Sequence, residues 1–162
     1  MRPLLEKAQR VAVENSPLCA GLTPAEIEEV LVRARLVEYA ADRLVLAEGQ
    51  PPSGLHVVVE GLVEVRLVRA DEGVLATIPL GQIGAGGVFG EYSSWDPRPV
   101  SANVVTLTPT RLLFLPIRDF LQLIDERDRL GKIILGNLLR MLIHRLRLKT
   151  AQVDPFTLVE LG

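Results

Sequence analysis

Phe89-Gly90-Glu91-Tyr92-Ser93-Ser94-Trp95-Asp96-Pro97-Arg98-Pro99-Val100-Ser101-Ala102 decides how the rest of this chain is read. Short apolar, β-prone runs lie on both sides of it. Within it stand small residues, one carboxylate next to a glycine, hydroxyl groups and two prolines, at the end of the glycine-rich approach Gly84-Ala85-Gly86-Gly87. A sheet interrupted in this way is building a turn or a site rather than another strand.

Upstream of this stretch, from Arg35, short Val- and Leu-rich runs are cut by Gly and Pro, the texture of a many-stranded antiparallel architecture. The spacing predicts strands at Leu36–Tyr39, Arg43–Ala47, Gly54–Glu60, Leu62–Arg69 and Leu75–Pro79, and downstream at Ser101–Leu107 and Thr110–Pro116. In the fourth strand Val63, Val65 and Leu67 are expected to face inward and Glu64 and Arg66 outward. Helices flank this middle. Leu4, Leu5, Ala8, Val11 and Ala12 recur at helical spacing near the start. Thr23-Pro24-Ala25-Glu26 then combines a threonine N-cap, proline at the first helical position and a glutamate three residues after the cap. That helix is expected to run to about Ala34, burying Ile27, Val30 and Leu31 and turning Glu26, Glu28, Glu29 and Arg33 to water. From Ile117 a short helix reaches Ile124 and a long one begins near Asp128. Its apolar residues, Ile133, Ile134, Leu135, Leu138, Leu139, Leu142, Ile143 and Leu146, cover more than one narrow stripe. A helix apolar on two sides needs two partners: the β domain and, most simply, the same helix of a second chain.

Composition bounds the classes. The 162 residues suit one domain, and 48% hydrophobic with 23% charged residues is the balance of a globular protein. A single cysteine, Cys19, excludes an intramolecular disulfide, and no signal peptide or membrane span is visible, so a cytoplasmic location and no membrane partner are expected. A net charge of -2 gives no bulk attraction to nucleic acid or anionic lipid. No metal set, triad or carboxylate pair stands out, so neither an enzyme nor a resident cofactor is expected.

Taken in order, two N-terminal helices, a strand-rich middle broken by a glycine-glutamate turn, and a long terminal helix resemble the cyclic-nucleotide-binding domain. This is the module of the catabolite activator protein and of protein kinase A regulatory subunits. Leu46-Ala47-Glu48-Gly49-Gln50 is similar to that family's glycine turn, and Leu55–Glu60, Gly61 and Leu62–Val65 to its central hairpin. Phe89-Gly90-Glu91, with Ser101-Ala102 and Val104-Val105, matches both ends of its phosphate-binding cassette. The resemblance implies a mainly β fold with flanking helices: an antiparallel double-stranded β-helix, or jelly roll, with short N-terminal helices and a long C-terminal dimerisation helix. Residues 1–127 would form the β-roll, 128–152 the long helix of the same domain and 153–162 a tail. It also implies cAMP or cGMP as ligand, a homodimer formed through the last helix, and an effector protein that the sequence does not name. Transcription factors of this family carry a helix-turn-helix domain after the long helix. Only a short tail follows here, so no DNA-binding domain is expected.

The cassette chemistry follows physically. A cyclic phosphate brings one charge that needs donors in a sheltered site. A short helix starting near Glu91 would present backbone N–H groups, and Gly90 would let the backbone come close. Ser101 would offer a hydroxyl beside the N–H of Ala102. By the resemblance, Glu91 accepts a hydrogen bond from the ribose 2′-hydroxyl. The family's cassette has an arginine immediately before the position of Ser101, and here Val100 stands there. Losing such a charge-assisted pair costs about 2–5 kcal/mol, or roughly thirty- to several-thousand-fold in affinity. Arg98 is a candidate replacement, because residues two apart in an extended, proline-flanked segment share a side. The alternative is a domain that has kept the fold, lost the ligand and serves dimerisation or protein interaction.

The remaining motifs carry less. Gly84–Gly87 lacks the third glycine of a dinucleotide fingerprint and reads as a turn. His56 reads as structural or surface, His144 as a surface or interface residue, and Cys19 as a buried small hydrophobe. Arg140, Arg145, Arg147 and Lys149 fit a solvated helix end. In the family the long helix closes over the purine near the place of Arg145, whose guanidinium would then stack on a base.

Overall fold

The alternation of β-prone runs and glycine turns becomes two four-stranded antiparallel sheets in the computed structural model, which describes residues 5–71, 73–91 and 95–152. Strands β1 (Arg35–Tyr39), β3 (Gly54–Glu60), β6 (Val88–Phe89) and β8 (Thr110–Pro116) form one sheet in the order β1-β8-β3-β6. The other holds β2 (Leu44–Leu46), β4 (Leu62–Asp71), β5 (Val74–Gly84) and β7 (Asn103–Thr106) in the order β2-β7-β4-β5. Helices α1 (Lys7–Glu14), α2 (Pro24–Arg33), α3 (Ile117–Glu126) and α4 (Asp128–Gln152) flank the roll, with a 3-10 turn at Pro17–Cys19. This is the mainly β jelly roll with N-terminal helices and a long C-terminal helix that the sequence pattern implies. No helix among the described residues is long and apolar enough to cross a membrane.

Local chemistry accounts for the boundaries. Thr23 and Glu26 form the reciprocal capping box, with the Glu26 N–H donating to Thr23 Oγ1 at 3.3 Å and the Thr23 N–H to Glu26 Oε2 at 2.8 Å. Gly61 turns β3 into β4 at φ +95°, where a Cβ would lie 2.5 Å from the Pro109 carbonyl oxygen, so only glycine fits.

Five expectations change. Strand β5 runs on to Gly84, and all of it up to Gln82 is exposed, because it extends the β4 hairpin beyond the core. Strand β6, two residues long, is too short for any periodicity to announce. In α1, Ala8 and Val11 face outward while Gln9 and Val13 are buried; the Gln9 amide donates to Glu60 and its oxygen caps the Glu6 N–H, so a polar residue can go inside. On α2, Glu26, Glu28, Glu29 and Arg33 are half-buried, paired with Arg129, Arg10, Arg127 and Glu126. Leu67 is only half-buried, since β4 leaves the core after Val65.

Two apolar clusters hold these parts together. One joins helices to sheet through Leu31, Leu55, Leu115, Phe120, Leu123, Leu130, Ile134 and Leu138. The other fills the roll between the sheets with Val58, Val63, Phe89, Val104 and Leu112. Each such side chain, fully buried, contributes about 1.5–3 kcal/mol. Cys19 packs in the first cluster, and burial pushes its thiol up to about 11. The second apolar side of α4, namely Leu135, Leu139, Ile143 and Leu146, is exposed in the single chain.

Candidate functional site

Strand β6 delivers the chain to Gly90 at φ +78°. A Cβ there would lie 2.5 Å from the Gly54 carbonyl oxygen and 3.2 Å from His56 Nδ1, so glycine alone permits the close passage over β3. His56 forms the floor. It is 5% exposed, stacked on Phe89 at 4.8 Å with ring planes 1° apart and tilted against Phe114 at 4.8 Å. Its Nδ1 has no hydrogen-bond partner, and burial pulls its pKa down to about 4, against a smaller opposing effect of the Gly54 backbone. His56 is thus the structural histidine of the two readings.

Glu91 follows, 2% exposed. Arg145 of α4 donates one guanidinium nitrogen, Nη1, to the Glu91 carboxylate and the other, Nη2, to the Val88 carbonyl. Desolvation raises the Glu91 pKa, with Arg145 and the residue's own backbone N–H working against it. The long helix is therefore tied to the cassette by one bridged arginine. The short helix expected near Glu91 falls on residues 92–94, outside the described residues, as does the tail 153–162.

At the other end the cassette is clamped to the β2–β3 turn. The Val100 N–H donates to the Gln50 carbonyl at 2.9 Å, the Val100 carbonyl accepts from the Gly49 N–H at 2.8 Å, and the Glu48 N–H donates to Asn103 Oδ1 at 2.9 Å. Val100 is half-buried, Ser101 exposed and Ala102 buried. Arg98 is turned outward: its Nε and backbone N–H both donate to Asp96, and its side chain is 84% exposed. The structure thus brings Gly90, Glu91 and Arg145 together and sets Ser101 and Ala102 at the clamped end. It does not bring Arg98 to them. Trp95, half-exposed, meets buried Phe120 of α3 edge-on at 5.6 Å.

Sequence reasoning missed the Val88 carbonyl, the aromatic floor and the Gln50 clamp, because each depends on strand register rather than spacing. It placed Arg145 near the ligand but on a base, where the fold gives it a carboxylate. Gly84–Gly87 is a turn: the Gly86 N–H donates to the Val58 carbonyl at 2.7 Å, the Gly87 carbonyl accepts from the Val58 N–H at 2.9 Å, and Ser16 Oγ donates to the Gly86 carbonyl at 2.6 Å. Arg140, His144, Arg147 and Lys149 are exposed. Among the described residues no cluster of His, Cys, Asp or Glu could hold a metal ion.

A buried carboxylate beside a positive-φ glycine, paired with an arginine of α4, makes a polar junction between the roll and the long helix. The family model of the cyclic nucleotide-binding domain matches residues 36–127. The cyclic AMP receptor protein of Thermus thermophilus is 31% identical over 148 residues, covering 91% of this chain and 65% of its own. The CRP-like cAMP-activated global transcriptional regulator of Mycobacterium tuberculosis is 28% identical over 127 residues, 78% of this chain and 54% of that protein. A cyclic nucleotide-binding domain from Methylobacillus flagellatus superposes with a TM-score of 0.78 at 24% identity, covering 90% of this chain and 84% of that one. The chain therefore spans between about half and two thirds of the length of the two curated regulators. The matched family is a ligand-binding domain rather than a class of enzyme. This chain belongs to the cyclic nucleotide-binding domain family.

Proposed function

We propose that this domain binds a cyclic nucleotide, cAMP or cGMP, and converts occupancy into a shift of α4 within a homodimer. The observation that carries the reading is the Arg145 bridge to Glu91 and Val88, because it makes the position of the distal helix depend on the state of the cassette. A ribose hydroxyl donating to Glu91 would share or take the carboxylate that Arg145 holds. The ligand thereby differs in affinity between the docked and released helix, which is what a population shift requires. Gly90, Glu91, Ser101 and Ala102 would line the sugar-phosphate, and Arg145 would stand at its edge. The exposed stripe Leu135, Leu139, Ile143 and Leu146 supports pairing with a second copy, and an effector protein would read the resulting arrangement.

Titration with cAMP and cGMP by calorimetry, alongside thermal unfolding, tests this. Saturable binding with a rise in Tm is expected. A ligand-free interaction domain is the second reading, favoured by Val100 standing where the family has its arginine. No heat and no Tm shift at millimolar nucleotide would put it ahead. A monomeric mass by light scattering at high concentration would refute the pairing alone.

A further inference from the structure

With Val100 uncharged, Arg98 held by Asp96 and Arg145 held by Glu91, a cyclic phosphate still needs a cation, and the strand register points to one. Strand β7 pairs with β4 as Val63↔Thr106, Glu64↔Val105, Val65↔Val104 and Arg66↔Asn103. Continued by three steps, this register sets Arg69 opposite residue 100. Alternation places Arg69 on the same side of β4 as Val63 and Val65, the side that packs with Val104 inside the roll. Arg66 falls on the other side and lies 3.8 Å from Glu64.

The ion pair that Arg69 makes supports the same placement. Its Nη1 donates to Glu48 Oε2 at 3.0 Å and to the Val68 carbonyl at 2.9 Å. Glu48 lies just past β2, and the order of that sheet puts β7 between β2 and β4. A side chain reaching from β4 to Glu48 must therefore cross the line of β7 where it continues back through residues 102 to 100. Glu48 is itself fixed there by Asn103, and the next residue, Gly49, is bonded to Val100. The guanidinium is thus held by Glu48, one residue before the Gly49 that is bonded to Val100, the position where the family's cassette has its arginine.

We propose that Arg69 supplies the charge for the ligand's phosphate, released from Glu48 when the ligand enters; this rests on the cyclic-nucleotide reading above. Arg69 is 48% exposed, and a half-exposed ion pair holds a side chain only weakly. A phosphate offers the same guanidinium a paired, charge-assisted contact, so the exchange favours the ligand.

The test compares cAMP with adenosine, and cGMP with guanosine, by calorimetry on the wild-type chain, Arg69→Gln and Glu48→Gln. Arg69→Gln is expected to weaken the cyclic nucleotide by about tenfold or more, while the nucleoside, lacking phosphate, changes by less than about threefold. Glu48→Gln frees Arg69 and is expected to tighten the cyclic nucleotide a fewfold, a gain that loss of folding cannot imitate. An unchanged ratio of cyclic nucleotide to nucleoside affinity in Arg69→Gln, or weaker cyclic-nucleotide binding in Glu48→Gln, overturns the role of Arg69 and leaves the cyclic-nucleotide reading standing. Absence of cyclic-nucleotide binding to the wild-type chain at millimolar concentration overturns both.

Discussion

The two halves of α4 are built on different principles. From Asp128 to Leu138 the helix is part of the core: Leu130, Ile134 and Leu138 are 0–3% exposed, and buried Asn137 donates to the carbonyls of Leu18 and Ala20 at 2.8 Å each. From Leu139 onward it is mostly exposed, with Leu139 at 60% and Leu146 at 67%, and Arg145 is its polar link to the roll among the described residues. The first half therefore belongs to the fold, and the second, on the function proposed above, would carry the response through its ion pair to Glu91.

That contrast is broken most directly in the first half. Ile134→Ala removes a fully buried side chain and is expected to cost about 2–5 kcal/mol by urea unfolding; a cost below about 1 kcal/mol would mean that this half is not core. His56 carries the next largest effect, on the roll side of the Arg145 bridge. Its pKa in the folded chain, about 4, lies below its ordinary 6.5, so its stabilising effect is complete above 6.5 and is lost as pH falls toward 4. The loss amounts to about 3 kcal/mol. Glu91 acts in the opposite sense: its raised pKa lowers stability as pH climbs from its ordinary 4.5. In His56→Phe the acid-side loss should flatten, and in Glu91→Gln it should steepen, when unfolding is followed between pH 7 and 4.5.

Asn137→Ala strips the donors from two carbonyls and should cost about 1–3 kcal/mol. Arg145→Gln, at the other end of the helix, leaves Glu91, 2% exposed, and the Val88 carbonyl without their cationic donor and should cost about 1–3 kcal/mol. Its effect is also local: amide hydrogen exchange should quicken between residues 139 and 150 and stay unchanged before Leu138. Equal exchange along the whole helix would remove the distinction between the halves. Arg98→Gln, at the bottom of the scale, should leave stability within about 0.5 kcal/mol and nucleotide affinity unchanged.

The proximal half was legible in the sequence because its apolar period is regular, and Gly54–Glu60 and Thr110–Pro116 were legible because runs of Val and Leu end in glycine or proline. Gly90, Glu91, Ser101 and Ala102 were named through the resemblance of their order and spacing to the family's cassette, and their role in binding stands as a proposal. What was not legible is relational. Arg145 and Glu91 are 54 residues apart, and only the packing of α4 on β6 makes them partners. Alternation made Arg98 a candidate to point inward, but Asp96, two residues before it, captures both its N–H and its guanidinium, and such local side-chain bonds override an extended pattern. Arg69 reads in the sequence as an ordinary strand arginine, because its pairing with Glu48 depends on the order of the strands.

Trp95 has a consequence for how this protein can be watched. It is the single tryptophan of the chain, it stands on the cassette, and its half-exposed indole rests edge-on against Phe120 of α3. Intrinsic emission excited at the indole band therefore comes from one place, between the cassette loop and the helix that leads into α4. No dye or label is needed to follow that junction in real time: closure that shelters the indole shifts its emission to the blue, and release shifts it to the red.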